Sequence, residues 1–532
     1  MLATRNSDAR GMVWLQPRHR VLVVAFLILG GIAVIGGGHP SGAGATDLPS
    51  RPLAEQARVA SMRDPRPGLS AARGSGRHGT SAGCSGLWVA TGADVASLVS
   101  SNAPGTTFCF ASGTYHLTRP VVPKTNDVFQ GEGEGVTIID AGREIAPLFH
   151  ALGSYWVASR VESLPAAGSP CQSGYLLCRD PNDIYFDGAP LVRAASLLAL
   201  GTGKFFYDLS TQRLWIASNP SGHVVEAAVL PFAWQGWFSG SDNVRIDGLT
   251  VEHVGGTAVQ GRASWTISDS EVRWNHVDGV IGALTITNDY LHDNGQAGYE
   301  ENCECPHSST PHYFVGNEVA FNNYDAYAGY QTSYDASGMK FMQTGDIIVS
   351  GNYVHDNGGP GLWSDTNVIN ATYSNNRVLR NKGPGIEAEV SYSHVIANND
   401  IEGNGDAGIL IADSGPVEVS GNTLADNTNG IEETQIDRGS GTLGPYALKN
   451  IDVHDNAITM REGWNGLKNW QLGTSPASDS TWRHNSYYVS CSGNSSPFIW
   501  PSGSDSHPNL SWSEWQAAGN DATGSFSCVT SG

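Results

Sequence analysis

The chain has 532 residues and a formal net charge of −21 at pH 7, and 40% of its residues are hydrophobic. Residues 1–45 and residues 46–82 each carry a charge of +3, so the rest of the chain carries about −27. A folded body this acidic repels polyanions, so nucleic acids are not expected as partners unless bound cations intervene.

The first 45 residues have the pattern of an export signal. A basic group at 18–20 precedes an apolar run at 21–35, and small residues at 43–45 resemble a cleavage site. A cleaved signal peptide is the primary prediction. An uncleaved membrane anchor, with the run extended through the glycines at 36–38, is the alternative. In both cases the body of the protein is secreted or extracellular, and only the anchor would bring it to a membrane.

The chain has eight cysteines, and an even number after an export signal favours disulfides over a metal site. Cys303 and Cys305 remain as a CxC motif. The three local pairs predicted to form disulfides are Cys84–Cys109, Cys171–Cys178 and Cys491–Cys528.

Changes in composition divide the chain into segments. A short helix from Asp94 through Val99 is expected to cover the open end of a stack of strands. Alternating apolar residues between turns at 142–235 predict a small inserted antiparallel β subdomain. The segments are 1–45, signal peptide or anchor; 46–82, disordered linker; 83–141, N-terminal cap and first coils; 142–235, inserted subdomain; 236–462, regular repeat; and 463–532, C-terminal cap.

Between Ile246 and Val453 one motif recurs, approximately apolar-x-x-Asn-x-apolar-x-x-Asn-Gly-x-x-Gly-apolar. The last uninterrupted steps between copies are 24, 23 and 23 residues. A fixed period of this length predicts a stacked architecture, because one unit cannot bury its apolar face alone. The first Asn of the motif, or its substitute, stands at Ser270, Asp289, Asn317, Asn352, Asn376, Asn399 and Asn422.

Three apolar columns run through the repeat, and they predict three short strands per coil around a filled interior. The fold class is therefore all-β, a right-handed parallel β-helix with an N-terminal capping helix and the inserted subdomain. Its handedness follows from the general preference of parallel crossovers. Members of the three columns include Ile246, Ile267 and Ile286 for the first, Val251, Val272 and Leu291 for the second, and Met339, Leu362 and Ile386 for the third.

Two columns of asparagine are predicted to be structural. Asparagine tolerates left-handed corners between strands, and stacked amides bond to one another along the axis of the helix. His292 and His355 occupy equivalent corner positions beside aspartates, and a structural role is the primary expectation for them as well. The second asparagine column is Asn275, Asn294, Asn322, Asn357, Asn381, Asn404 and Asn427.

The repeated segments NYVHDNGGPGLWSD, from Asn352, and NRVLRNKGPGIEAE, from Asn376, resemble the right-handed β-helix repeats of exported bacterial proteins. Together with the capping helix, they make residues 84–470 similar to the pectate-lyase-like superfamily. The resemblance implies a secreted carbohydrate-active protein. It implies no single reaction, because the superfamily includes hydrolases, lyases, epimerases and adhesins, and the polygalacturonase signatures are absent from the sequence.

Counting from the last Gly of each copy places four charged residues on one outward face. Alternate residues of a strand share a face, and neighbouring rungs lie ~4.8 Å apart. Stacked acids repel one another, which implies a raised pKa, a neighbouring lysine or a bound cation. We expect Asp365→Asn, Glu389→Gln or Lys340→Ala to abolish turnover with little effect on the melting temperature. The predicted catalytic residues are Asp365, Glu389, Glu387 and Lys340.

Aromatic residues near this face predict an open groove for a polysaccharide or oligosaccharide, bound by a monomer. Flat apolar rings suit the faces of sugars, and an insertion at 322–337 supplies four tyrosines just before Lys340. The predicted substrate-binding residues are Trp363, Tyr324, Tyr327, Tyr330, Tyr334 and Glu300.

Three functions compete at the level of sequence. A glycoside hydrolase would use one carboxyl as acid and another as nucleophile or base. A polysaccharide lyase or uronate epimerase would use Lys340 as base, with Ca²⁺ held by Asp365, Glu387 or Glu389. A surface adhesin or cell-wall glycan-binding protein would bind without turnover. The acidic body repels polyuronates, so hydrolysis of a neutral or weakly charged glycan is favoured.

Overall fold

The structure of the protein is a computed structural model. It describes residues 83–175, 178–180, 182–237, 239–283, 285–305, 311–323, 329–469, 479–490, 492, 494–501 and 509–528. The predicted signal or anchor at 1–45 and the predicted linker at 46–82 lie outside these residues, and the segment boundaries derived from composition stay predictions. Within the described residues, no helix is both long enough and apolar enough to cross a membrane.

Three parallel sheets wind around one interior, and each regular coil contributes one strand to each sheet. The predicted β-helix is therefore confirmed. Strands of the first sheet are Leu87–Val89, Thr107–Phe110, Val128–Gln130, Arg245–Asp247, Thr266–Ser268, Thr285–Thr287, His312–Val315, Ile369–Ser374, Tyr392–Ala397, Val417–Ser420, Ile451–His454 and Ser480–Arg483. Strands of the second sheet are Gly113–His116, Thr137–Asp140, Thr250–Glu252, Glu271–Arg273, Tyr290–His292, Glu318–Ala320, Tyr353–His355, Arg377–Leu379, Asp400–Glu402, Thr423–Ala425, Ala457–Met460, Ser486–Val489 and Ser525–Cys528.

The third sheet carries the predicted catalytic residues. Ser337–Ser350 is a continuous strand that belongs to both the third sheet and the first. At the C-terminal end, Asn509–Leu510 joins the third sheet antiparallel to its neighbour. The other strands of the third sheet are Trp234–Gln235, Val259–Gln260, Val280–Ile281, Ala297–Cys305, Leu362–Asp365, Ile386–Glu389, Ala407–Ala412, Asn429–Gln435, Asn465–Asn469 and Phe498–Ile499.

The predicted apolar columns form the core. Ile246 pairs with Ile267, which pairs with Ile286 on the next coil, and all three are buried. The columns through Val251 and Met339 are also buried and in register. Fully burying an aliphatic side chain contributes about 1.5–3 kcal/mol, so these columns provide much of the stability of the stack.

Both ends of the stack are covered. The predicted N-terminal helix spans Val95–Ser101, and the Asp94 side chain caps it by accepting a hydrogen bond from the Ser97 amide at 2.9 Å. At the other end, the helix Trp512–Ala517 places Trp515 in the core, with its ring 4.8 Å from that of Phe498.

The predicted inserted subdomain consists of two small, mainly antiparallel sheets with their own core. One sheet contains Gly142–Glu144, Ile184–Phe186, Ala189–Pro190 and Val225–Ala228. The other contains Phe149–Leu152, Tyr155–Ser159, Val192–Arg193, Lys204–Asp208 and Arg213–Ile216. Short 3₁₀ turns occur at Ala146–Leu148 and Leu197–Ala199, and a two-stranded hairpin is formed by Ser440–Gly441 and Gly444–Pro445.

Two of the predicted disulfides are present, Cys84–Cys109 and Cys171–Cys178. The third involves Cys491, which lies outside the described residues. Disulfides form in oxidising compartments, so the two that are present agree with a location outside the cytoplasm.

Asparagine side chains form two hydrogen-bonded ladders along the stack. The Asn376 side chain donates to Asn399 Oδ1 at 3.0 Å and to the Val349 carbonyl at 2.9 Å, and the Asn376 amide donates to the same Asn399 oxygen at 2.9 Å. The same pattern repeats from coil to coil, so the predicted stacking of amides is confirmed. One ladder continues through Asn317, Asn352, Asn422, Asn456 and Asn485, and the other through Asn275, Asn294, Asn322, Asn357, Asn381, Asn404 and Asn427.

The expectation that the ladder asparagines occupy the left-handed corners is wrong. The left-handed residue is the one immediately before, such as Asn375 at φ 56° and Asn398 at φ 58°. The ladder asparagine itself is buried, because its amide must face the next coil. His292 and His355 bond to Asp293 and Asp356 at these corners, at 2.6 and 2.7 Å.

The glycine at the start of several third-sheet strands is required by close contact between coils. A Cβ atom at position 361 would lie 2.7 Å from the Gly385 carbonyl oxygen and 2.8 Å from the Asn381 side chain. A larger residue would therefore separate the third sheet from the ladder that aligns it.

Replacing a ladder asparagine is expected to destabilise the protein strongly. Asn399→Ala removes bonds to Asn422, Tyr373 and Asn376 and leaves buried polar groups unpaired, at about 1–3 kcal/mol each. Asn398→Gly changes the adjacent exposed corner, where glycine adopts the required φ without strain, and should alter stability by less than about 1 kcal/mol. Urea denaturation compares the two variants, and equal midpoints would contradict the assigned role of the ladder.

Candidate functional site

The register of the third sheet brings the predicted catalytic residues together on one outward face. Lys340 lies opposite Trp363, and Trp363 lies opposite Glu387 on the next coil. Asp365 and Glu389 follow two residues later on their strands, so their side chains share this face. The register predicted from the repeat is confirmed, while the roles of these residues remain predictions.

Lys340 is buried, and four groups surround its ammonium. Its ammonium lies 2.9 Å from Asp365 Oδ2 and 3.2 Å from Asp335 Oδ1, and it donates to the Tyr334 carbonyl. The Trp363 ring lies beneath it, with 3.6 Å between Nζ and the ring centroid. Although burial alone would lower the pKa of Lys340, the two carboxylates outweigh it and raise that pKa above its usual value.

Glu389 is held by a cation that the sequence did not reveal. Arg438 donates to Glu389 Oε1 at 2.6 Å, and the Trp363 indole donates to Glu389 Oε2 at 3.1 Å. Arg438 comes from residues 436–446, which leave the stack after a third-sheet strand and return to contact Asn367 and Tyr392. No period in the sequence predicts where such an excursion returns, so its pairing with Glu389 was missed.

Glu387 has neither a cation nor a hydrogen-bond donor of its own among the described residues. It is 8% exposed, and burial raises the pKa of its carboxyl well above the usual value. The neighbouring Glu389 and Asp365 raise this pKa further, and Lys340 opposes them only in part. Glu387 is therefore a buried carboxyl whose pKa is raised well above its usual value, beside two ion-paired acids.

A second acidic group lies on the preceding rung. Glu300 pairs in register with Lys340, and Gln296 donates to Glu300 at 3.4 Å and to Asp278 at 3.0 Å. Burial is the main cause of a raised pKa at both Glu300 and Asp278. Repulsion from Asp278 adds to it at Glu300, and repulsion from Asp335 adds to it at Asp278. Glu300 was predicted to bind substrate, and the structure places it beside the Lys340 cluster.

The expectation of an open aromatic groove is wrong for two of its residues. Tyr330 is fully buried and donates its hydroxyl to the Ala167 carbonyl at 3.2 Å, beside the Cys171–Cys178 loop. Trp363 is 2% exposed, because Lys340 covers its ring. Tyr334 is 55% exposed and remains available to a ligand. Tyr324 and Tyr327 lie outside the described residues.

The predicted calcium ligands do not converge. Asp365 and Glu389 already pair with Lys340 and Arg438, and these cations compete with a metal ion for the carboxylates. Within the described part of the chain, the groups of three ligand atoms that lie within 4.8 Å of one another occur elsewhere, around Asp140. A general base must lose its proton, so the raised pKa of Lys340 also counts against a base role for that residue.

Removing Lys340 is expected to destabilise the protein, in contrast to the expectation from sequence. Lys340→Met would leave Asp365 and Asp335 buried without their cation, and breaking a buried ion pair costs about 3–5 kcal/mol. Lys449→Met removes an exposed lysine and should change stability by less than about 0.5 kcal/mol. Chemical denaturation measures both, and a Lys340→Met protein as stable as the Lys449→Met control would refute a structural role.

Comparison with known proteins agrees with the fold described above. Residues 237–424 match the family described as the right handed beta helix region. Together with the coils described above, this match defines the chain as containing a right-handed parallel β-helix. No curated protein sequence matches the chain significantly.

Solved structures with similar folds include carbohydrate-active proteins. The structure of XylC in complex with xylose has 12% identity and a TM-score of 0.47, over 74% of this chain and 80% of that one. A glycoside hydrolase has 10% identity and a TM-score of 0.35, over 68% and 87% of the chains. The A-module of mannuronan C-5 epimerase AlgE4 from Azotobacter vinelandii has 13% identity and a TM-score of 0.36, over 71% and 92%. Similarity this distant concerns the fold and identifies no reaction for this chain.

Proposed function

We propose that the protein is a secreted glycoside hydrolase that acts on a neutral or weakly charged glycan, with Glu387 as its general acid. The observation that carries this proposal is the contrast among three neighbouring carboxyls. Glu387 is buried without a donor or cation, whereas Asp365 and Glu389 each have a cation. Environments that push the pKa values of neighbouring acids apart separate an acid from a base.

Glycoside hydrolysis requires this division of roles. One carboxyl group must give a proton to the leaving oxygen, and another must act as a carboxylate, either on the sugar or on a water molecule. The buried position of Glu387 favours its protonated form, which is the form of a general acid. Lys340 and Arg438 form ion pairs with the other two acids.

Asp365 is the better candidate for the reacting carboxylate. Among the described residues, its Oδ1 accepts only from the Thr366 hydroxyl, at 2.8 Å, and a hydroxyl group rotates to release an oxygen. Both oxygens of Glu389 are bound, by the Arg438 guanidinium and by the rigid Trp363 indole. We therefore assign Glu389, Lys340 and Arg438 to positioning, with Lys340 orienting Asp365.

The charge of the protein supports a neutral or weakly charged substrate. The body carries about −27, and no free cation faces the acids of the site among the described residues, since Lys340 and Arg438 are already paired. A polyuronate would be repelled by such a surface. The export pattern at 1–45 and the two disulfides support secretion.

A panel of neutral and acidic polysaccharides tests the reaction, with two readouts. New reducing ends without absorbance from unsaturated sugars are expected, because hydrolysis adds water and elimination creates a double bond. On the substrate that is cleaved, Glu387→Gln should lower kcat by about 10²–10⁴-fold, since glutamine cannot donate the required proton. The loss should be smaller on aryl glycosides, whose leaving groups need little protonation.

Three further variants separate the roles. Glu418→Gln, on an exposed part of the first sheet, is the matched control and should retain full activity. Asp365→Asn should abolish turnover even on aryl glycosides, and Glu389→Gln should retain part of it. Unsaturated products would refute hydrolysis, and full activity of Glu387→Gln would refute the assignment of the acid. Glycan binding without turnover by the native protein would favour the adhesin alternative.

The raised pKa of Glu387 predicts a dependence of stability on pH. The folded protein holds the Glu387 proton to a higher pH than the unfolded chain, so stability falls as pH rises from the unfolded pKa towards the folded one. This contribution is about 1.4 kcal/mol for each pH unit. Glu387→Gln removes the titration and should be the more stable protein at pH 7, by an excess that disappears near pH 4. Denaturation across pH measures this, and a difference independent of pH would contradict it.

A further inference from the structure

Three potential metal ligands meet where the inserted subdomain joins the stack. His116 and Asp140 end neighbouring strands of the second sheet and lie directly opposite each other. Glu226 comes from the strand Val225–Ala228 of the four-stranded inserted sheet. One ligand atom from each of these three residues lies within 4.8 Å of the other two.

The distances single out one atom of each residue. His116 Nδ1 lies 3.6 Å from Asp140 Oδ2 and 3.7 Å from Glu226 Oε1. Ligands on a metal with bonds of about 2.0–2.2 Å lie about 3–3.5 Å apart, so the set would need to contract only slightly. The arrangement has one imidazole nitrogen and two carboxylate oxygens from three different strands.

The remaining oxygens of the two acids are fixed by other groups. Asp140 Oδ1 accepts from the Gly142 amide at 2.7 Å and lies 3.1 Å from His253 Nδ1, and Glu226 Oε2 lies 3.5 Å from the same nitrogen. Such outer contacts orient the ligands of metal sites. Asp140 Oδ2 and Glu226 Oε1 are therefore left directed towards His116.

The Glu226 carboxylate is largely buried, and its outer oxygen has only a long ion-pair contact with His116. The Glu226 side chain is only 5% exposed, and its Oε1 lies 3.7 Å from His116 Nδ1, with no closer donor among the described residues. Buried carboxylates are paired or bind metal ions, and a metal ion would contact this oxygen and His116 together. His116, in contrast, is 58% exposed, so an ion and its water molecules have access from solvent.

We propose that His116 Nδ1, Asp140 Oδ2 and Glu226 Oε1 bind a divalent first-row transition-metal ion such as Zn²⁺ or Mn²⁺. The imidazole favours these ions over Ca²⁺ and Mg²⁺, which prefer oxygen ligands alone. Three protein ligands leave coordination positions for water on the exposed side. The neighbouring Glu252 is bound by Arg273 at 2.8 Å and does not take part.

The position of the ligands gives the ion a structural role. Glu226 belongs to the inserted sheet, whereas His116 and Asp140 belong to the coils, so the ion joins the subdomain to the stack. The ligands are spread from residue 116 to residue 226, and fixing them together restricts the unfolded chain over a long loop. The ion should therefore raise the melting temperature.

Calorimetric titration of the tag-free, full-length protein after EDTA treatment tests the site. Zn²⁺ and Mn²⁺ are titrated separately, and each should bind with one equivalent, undisturbed by a tenfold excess of Ca²⁺. His116→Ala should weaken binding by at least about 100-fold, because losing even an outer contact of a metal ligand costs 10–100-fold. The metal should also raise the melting temperature of the native protein and leave that of His116→Ala unchanged.

His150→Ala is the matched control, since it removes an exposed histidine of the same inserted subdomain and should bind like the native protein. Glu226→Gln tests the buried ligand and should also lose binding. His116 is exposed, so its replacement leaves the metal-free melting temperature unchanged and a loss of binding is not a loss of fold. The proposal is overturned if the native protein has no saturable site, if His116→Ala binds normally, or if Ca²⁺ displaces the ion.

Discussion

Hydrogen bonds between stacked asparagine side chains are the interaction on which the rest of this structure depends. Many strands of the second sheet have only three residues, so backbone pairing alone gives each coil few bonds to the next. Each ladder asparagine adds hydrogen bonds next to a corner. These bonds fix the position of its coil along the axis of the β-helix relative to the neighbouring coils. The register of the third sheet, and with it the proximity of Lys340, Trp363 and Glu387, follows from this alignment.

In the candidate site, neighbouring cations compensate the charges of most of the carboxylates. Lys340 pairs with Asp365 and Asp335, and Arg438 pairs with Glu389, whereas Glu387 has no cation of its own in the described part of the chain. An acid in this position destabilises the native state once it ionises, which is a common property of groups that serve a reaction and not the fold. At least one structural carboxylate elsewhere in the chain differs in this respect. Asp521, for example, accepts from Asn485 and Tyr487 in the C-terminal cap.

The sequence predicted the features that repeat. Apolar columns, the asparagine ladders and the shared face of Asp365, Glu387 and Glu389 all follow from one period, because stacking converts spacing along the chain into proximity. The contacts of Arg438 and Tyr330 were not predictable in this way. Both depend on where an irregular segment folds back, and no periodic pattern encodes that.

Two further predictions were wrong and one cluster was not predicted, each for a physical reason. Trp363 was expected to offer an open face, but the lysine on the neighbouring rung stacks on it, and spacing alone does not distinguish an exposed ring from a covered one. The left-handed corner was assigned one residue too late, because asparagine suits both that conformation and the ladder. The cluster at His116 went unnoticed, since Glu226 belongs to the inserted sheet and is out of phase with the repeat.

Segments on both sides of the third sheet supply groups to the cluster, and both are departures from the regular winding. Residues 329–336 precede the strand that carries Lys340, and 436–446 follow the strand Asn429–Gln435. Either segment can change in length or composition without altering the register of the coils, because the asparagine ladders and the apolar columns lie outside both segments. The coils and these two irregular segments can therefore evolve at different rates. A β-helix with the same coils can carry a differently shaped binding surface over the third sheet.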